Sequence, residues 1–122
     1  MKICLVGEGA FANKHLDAIA RIEDVEVSVI CGAVAETTEA VANARGIPFY
    51  TTDLAEALNQ PGVDAAILAT PTGLHTAQAI QVMRSGKHVL IEIPMADNLA
   101  DAQKLVEVQQ ETGLVAMVDH VR

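Results

Sequence analysis

The stretch VGEGAFA, Val6 to Ala12, sets Gly7, Gly9 and Ala12 at the spacing G-x-G-x-x-A. Each position has a task if the loop holds a dinucleotide. Gly7 permits a tight turn, Gly9 lets the backbone approach a pyrophosphate, and Ala12 lets a helix pack closely on a strand. A helix starting there offers free N–H groups and about half a positive charge to phosphates. Ala10 and Phe11 sit at that helix start and join the three as candidate cofactor-binding residues. An ordinary glycine turn is the alternative. The position between an apolar strand and a helical pattern favours the phosphate loop.

Two further stretches could face the same ligand. In ATPTGLH, Thr70 and Pro71 follow an apolar run, Pro71 stops the strand, and Thr72 can cap a helix whose first turn holds His75. His75 would line the nicotinamide side of a crevice; a surface histidine is the alternative. In KHVLIEIPMADN a strand apolar on both faces ends on Glu92, Ile93 and Pro94. A purely structural strand gains nothing from that carboxylate. A strand opening into a crevice could use it, with Glu92 lining the crevice and Pro94 shaping the turn.

The end of the second strand should hold the ribose anchor: an acid for NAD, often a nearby arginine for NADP. The sequence there is Ile30-Cys31-Gly32-Ala33-Val34, with neither. Gly32 and Ala33 would meet the ribose through backbone alone, and Glu36 falls on the next helix. The cofactor is therefore NADP or NAD, with discrimination under about tenfold. His15, His88 and His120 show no metal-ligand spacing, so no metal is assigned. No P-loop, G-x-S-x-G or catalytic triad is visible.

The elements that would position these residues alternate regularly. Apolar strand-like runs cover Ile3–Val6, Val25–Cys31, Ile47–Tyr50, Ala65–Ala69, His88–Glu92 and Val115–Val118. Between them lie segments with helical spacing, in which residues recur at three- and four-residue steps: Phe11, His15, Ile19 and Ile22; Leu54, Ala57 and Leu58; Ala79, Ile80 and Met83; Leu99, Ala102, Leu105 and Val106. Start signals fall at Thr52/Asp53, Thr72 and Asp97/Asn98, and stop signals at Gly46, Gly86 and Gly113. Strands apolar throughout need helices on both faces. The expected fold is α/β: a doubly wound parallel sheet of Rossmann type, order 3-2-1-4-5-6, in a single domain.

Composition agrees with that reading. A chain of 122 residues, 51% hydrophobic, can bury a core as one domain. No apolar run approaches the ~20 residues of a membrane span, and no signal-peptide pattern opens the chain. The net charge of −8 and the lack of tryptophan argue against nucleic acid. Cys4 and Cys31 lie in apolar runs, which points to buried reduced thiols and a cytoplasmic location.

Together VGEGAFA, DAAILATPTGLH, SGKHVLIEIPMA and ETGLVAMVDHVR resemble the Gfo/Idh/MocA oxidoreductase family over the entire chain. The glycine loop is generic to dinucleotide folds; T-P-x-x-x-H after strand four and E-x-P after strand five are more specific. The E-I-P form is similar to the 4-carboxy-2-hydroxymuconate-6-semialdehyde dehydrogenase branch. The resemblance implies an NAD(P)-dependent hydride transfer involving a carbonyl/alcohol or aldehyde/hemiacetal substrate. It also implies that residues 1–122 form the dinucleotide-binding domain, without the family's C-terminal substrate domain. The family pattern is Glu-Lys-Pro, its lysine helping to bind substrate hydroxyls. Ile93 replaces that lysine and can neither donate a hydrogen bond nor carry a proton. The isolated chain is expected to bind cofactor without turnover and to form a homodimer. A non-catalytic cofactor-sensing or partner-binding module is the competing class.

Overall fold

In the computed structural model, residues 1–92, 98–114 and 116–119 are described. Ile93, Pro94 and His120 therefore lie outside the described residues, as do the side chains of Ala10, Phe11, Thr72 and Glu92. Strands and helices alternate: β1 (Lys2–Val6), α1 (Ala10–Ile19), β2 (Glu26–Cys31), α2 (Ala35–Arg45), β3 (Phe49–Thr51), α3 (Leu54–Leu58), β4 (Val63–Leu68), α4 (Thr72–Arg84), β5 (His88–Glu92), α5 (Leu99–Thr112) and β6 (Ala116–Asp119). The strands form one sheet in the order β3-β2-β1-β4-β5-β6, and every pair is parallel. This is the doubly wound order expected from the sequence.

The alternation of side chains along β1 explains why both faces need cover. Ile3 and Leu5 pack with Ala12, Leu16 and Ile19 of α1 and Ala42 of α2. Cys4 and Val6 pack with Leu58 of α3, Ala79, Val82 and Met83 of α4, and Leu105 and Val108 of α5. Helices α1 and α2 thus lie on one face, and α3, α4 and α5 on the other. Sheet direction reverses its growth between β1 and β4, where β4 pairs with β1 on the side away from β2. That switch leaves a crevice at the carboxyl ends of β1 and β4.

Helix ends follow the sequence signals in most places. Asp53 caps α3 by accepting from the N–H groups of Ala55 and Glu56, and Asn98 caps α5 by accepting from Asp101 N–H. Gly46 and Gly113 end α2 and α5 in the left-handed conformation. Strands β1, β2, β4 and β6 are displaced from expectation by one or two residues at an end, and β3, α1 and α4 differ as follows. Strand β3 starts at Phe49, because Ile47 N–H is committed to the Ala42 carbonyl at the end of α2 and Pro48 has no N–H to give. Helix α1 stops at Ile19, so Ile22 lies beyond it and is exposed. Pro71, not Thr72, is the N-cap of α4, with Thr72 its first helical residue.

Candidate functional site

Gly7 directly follows β1 and has φ +122°, a conformation that excludes ordinary side chains. A Cβ there would lie 2.4 Å from the Ala69 carbonyl oxygen. Hydrogen bonds from Gly7 N–H to the Cys31 carbonyl (2.8 Å) and from Ala69 N–H to the Val6 carbonyl (2.8 Å) fix this crossing of the β1, β2 and β4 ends. Glycine at this position is therefore a requirement of the fold.

Gly9 is different. Its φ of −86° suits any residue, and a Cβ there would meet nothing within 4 Å. It is the N-cap of α1 but contributes no capping side chain, and no acid lies in the first turn. Internal packing gives no reason for glycine here. An external group approaching the backbone does. Ala12, fully buried, brings α1 close to the sheet. Ala10 and Phe11 lie in the first turn of α1. The residues present therefore fit a dinucleotide pyrophosphate at this helix start.

Across the crevice, Thr70 and Pro71 form the link from β4 to α4. The Thr70 hydroxyl donates to Gln78 Oε1 at 2.6 Å, and the Pro71 carbonyl accepts from Leu74 N–H at 3.0 Å. His75 is not a surface histidine: it is 1% exposed, with Nε2 2.6 Å from the Thr70 carbonyl oxygen. A carbonyl only accepts, so Nε2 carries the proton. The ring ties the first turn of α4 back to the loop that precedes it. Glu92, the last residue of β5, pairs in register with Asp119 of β6.

The tip of β2 departs from expectation. Neither Gly32 nor Ala33 brings a carboxylate, yet a carboxylate is there. It comes from Glu8, the middle residue of the glycine turn. Glu8 Oε1 accepts from the N–H groups of Ala33 (3.0 Å) and Val34 (3.1 Å). Glu8 Oε2 lies 2.8 Å from the Thr37 hydroxyl and 2.5 Å from that of Thr38. The Thr38 hydroxyl also lies 2.6 Å from the Val34 carbonyl. It has one proton to give, and the charged acceptor is the stronger. Burial pushes the Glu8 carboxyl pKa up, but the bonds from Thr38, Thr37, Val34 and Ala33 outweigh it and hold the group below its ordinary value.

Gly32 does not leave open space, as its lack of a side chain implied. A Cβ there would fall 1.9 Å from Thr38 Oγ1 and 2.6 Å from Glu8 Oε2. The volume is already filled by the Glu8 carboxylate and its donors. Sequence reasoning missed Glu8 because it searched strand two itself for the anchor. The available signal was an acid inside G-x-G combined with a glycine at the strand-two end and Thr37-Thr38 in the next helix. Glu36, in the first turn of α2, is exposed.

A glycine turn at an uncapped helix start, a switch-point crevice and an acid at the β2 tip meet at one end of the sheet as a candidate dinucleotide site. Residues 1–120 match a family described as an oxidoreductase family with an NAD-binding Rossmann fold, GFO_IDH_MocA. The chain belongs to the Gfo/Idh/MocA family. It is 50% identical over 122 residues to 4-carboxy-2-hydroxymuconate-6-semialdehyde dehydrogenase of Sphingobium sp. (strain NBRC 103272 / SYK-6), covering all of this chain and 39% of that protein. It is 34% identical over 116 residues to 1,5-anhydro-D-fructose reductase of Ensifer adhaerens, covering 95% of this chain and 35% of the relative. Among solved structures, WlbA dehydrogenase from Bordetella pertussis, in complex with NADH and UDP-GlcNAcA, superposes with TM-score 0.91 at 37% identity. That match covers 98% of this chain and 34% of the other. Biliverdin reductase from Synechocystis sp. PCC 6803, in complex with biliverdin and NADP+, superposes with TM-score 0.88 at 26% identity, covering 98% and 37%. The chain thus spans less than two fifths of the length of these relatives. As a Gfo/Idh/MocA member it is an NAD(P)-binding oxidoreductase domain.

Proposed function

We propose that residues 1–122 are the dinucleotide-binding domain of an enzyme that moves a hydride between a nicotinamide cofactor and a carbonyl/alcohol or aldehyde/hemiacetal substrate. The observation that carries this reading is the contrast between Gly7 and Gly9. One glycine is demanded by the fold, while the other guards an open approach to an uncapped helix start. When bound, the nicotinamide supplies the hydride chemistry. The chain supplies binding and orientation. Gly7 shapes the turn, Gly9, Ala10 and Phe11 receive the pyrophosphate at the helix start that Ala12 packs against the sheet, and Gly32 and Ala33 lie at the ribose end. Thr70, Pro71 and Thr72 border the nicotinamide side, and His75 holds that loop in place through the Thr70 carbonyl. Glu92 ends β5 on the crevice side of the sheet.

The test is Gly9→Val. A Cβ at this position meets nothing within 4 Å, so the fold should persist, while the pyrophosphate path closes. Calorimetric titration of NAD and NADP should show affinity falling by about tenfold or more. Undiminished binding by a folded variant would remove the phosphate-loop assignment.

Substrate binding and turnover belong, in this reading, to parts of a longer protein, so the isolated chain binds cofactor without turnover. A cofactor-sensing module is the second reading, favoured by Ile93 at the family's lysine position. Hydride transfer by a longer protein containing these residues would exclude it. A homodimer is supported by the exposed apolar stripe of Leu99 and Val106 on α5. Sedimentation showing monomer at all concentrations would count against it. The cytoplasm suits two free, buried thiols, and cell fractionation checks that location. Acidic charge disfavours nucleic acid. Among the described residues no helix is long and apolar enough to cross a membrane.

A further inference from the structure

We propose that Glu8 selects the cofactor: its carboxylate fills the anion pocket at the tip of β2, so the chain accepts a dinucleotide with a free ribose 2′-hydroxyl and rejects one bearing a 2′-phosphate. The inference rests on the cofactor-domain reading above.

In this fold the adenosine ribose lies at the end of strand two, against the turn that begins the next helix. The donors available there are the N–H groups of Ala33 and Val34 and the hydroxyls of Thr37 and Thr38. All four point at one carboxylate. Two amides and two hydroxyls around the start of α2 would equally suit a phosphate. Glu8 already occupies them. A 2′-phosphate would have to displace the carboxylate, or sit beside it with no cation from the β2–α2 turn to relieve the repulsion. Residues 32–38, GAVAETT, include no lysine, arginine or histidine; Glu36 among them is exposed and makes no bond to the Glu8 cluster. A ribose hydroxyl faces the opposite situation. It carries no charge and can donate to a carboxylate oxygen in place of a threonine: the Thr37 and Thr38 hydroxyls each have the Val34 carbonyl as a second acceptor, 3.2 and 2.6 Å away, so one can turn and release an acceptor site.

Gly32 is the second half of the device. Any side chain there would collide with Glu8 Oε2 and Thr38 Oγ1. An acid delivered from the glycine turn and a side-chain-free strand end therefore require each other. The acid that other dinucleotide folds carry on strand two is supplied here from the end of strand one.

The experiment is titration of NAD and NADP onto the 122-residue chain at fixed ionic strength, with the parent, Glu8→Gln, Glu8→Ala and the neighbouring control Glu36→Gln. The parent should bind NAD at least tenfold more tightly than NADP. Glu8→Gln should shrink that ratio at least fivefold. Glu8→Ala, which frees all four donors, should bring it to unity or reverse it. Glu36→Gln should leave it within twofold. Should the Glu8 variants not fold, competition on the parent decides: AMP should displace bound NAD, and 2′,5′-ADP, which differs from it only by the 2′-phosphate, should do so at least tenfold less well. A parent ratio near one, equal competition by AMP and 2′,5′-ADP, or a ratio unmoved in folded Glu8 variants overturns the role of Glu8 alone. No binding of either dinucleotide by the parent overturns the cofactor-domain reading as well.

Discussion

A carboxylate gripped by four donors loses much of that grip when it takes up a proton, and Glu8 is such a group. Its folded-state pKa lies below the ordinary 4.5, so its contribution to stability is complete above that value and is lost as pH falls through the folded pKa. Glu8→Gln should cost about 1 kcal/mol at pH 7, toward the low end for charged hydrogen bonds because the residue is partly exposed. The gap between parent and variant should narrow steadily below about pH 4.5. Urea unfolding at several pH values measures it, and a gap that stays constant down to pH 2 would show that charge is not the source. Legibility at this scale divides by sequence distance. The turn at Gly7 and the close packing at Ala12 belong to one seven-residue pattern, and the sequence exposes them. The grip on Glu8 joins residue 8 to residues 33–38 and depends on a side chain that Gly32 does not have. No local pattern encodes that.

Elements were legible where an apolar stripe marks them. Helix α2 has almost none: Thr38 and Ala42 are its buried residues, so its spacing carries little signal. Strand β3 was displaced in expectation because Ile47 is buried, yet belongs to the turn closing α2. Another irregularity lies in β2. Pairing with β1 moves from Ile3–Val27 to Cys4–Val29, so Ser28 has no residue opposite it. Its buried hydroxyl has no hydrogen-bond partner among the described residues. Removing an unsatisfied hydroxyl should be neutral or helpful. Ser28→Ala is expected to raise stability by up to about 1 kcal/mol, seen as a higher urea midpoint at unchanged slope. A loss of that size instead would mean that the hydroxyl holds the bulge in place.

For the whole molecule, the strand order follows from two rules applied together: strands apolar on both faces need helices on both sides, and right-handed crossovers leave few ways to arrange them. The two core layers meet only through the sheet, which makes the sheet the cooperative unit. The two cysteines can report on it. Cys4 on β1 and Cys31 on β2 belong to the same buried cluster, although Cys31 lies one strand nearer the β3 edge. Burial, with the neighbouring Cys31, pushes the Cys4 thiol pKa up to about 12. Burial, with the carboxylates of Asp53 and Glu8, pushes that of Cys31 up to about 11. A thiol attacks only as its thiolate, so at pH 8 both should be inert in the folded chain and react through opening. If the domain folds as one unit, opening that exposes Cys31 also exposes Cys4. Their labelling rates should then agree within about threefold and rise together in urea as the far-ultraviolet dichroism is lost. Cys31 labelling far ahead of Cys4 in dilute buffer would instead reveal a β2–β3 edge that opens alone. The region gripping Glu8 would then be the least stable part of the fold, and the chain would not be a single cooperative domain.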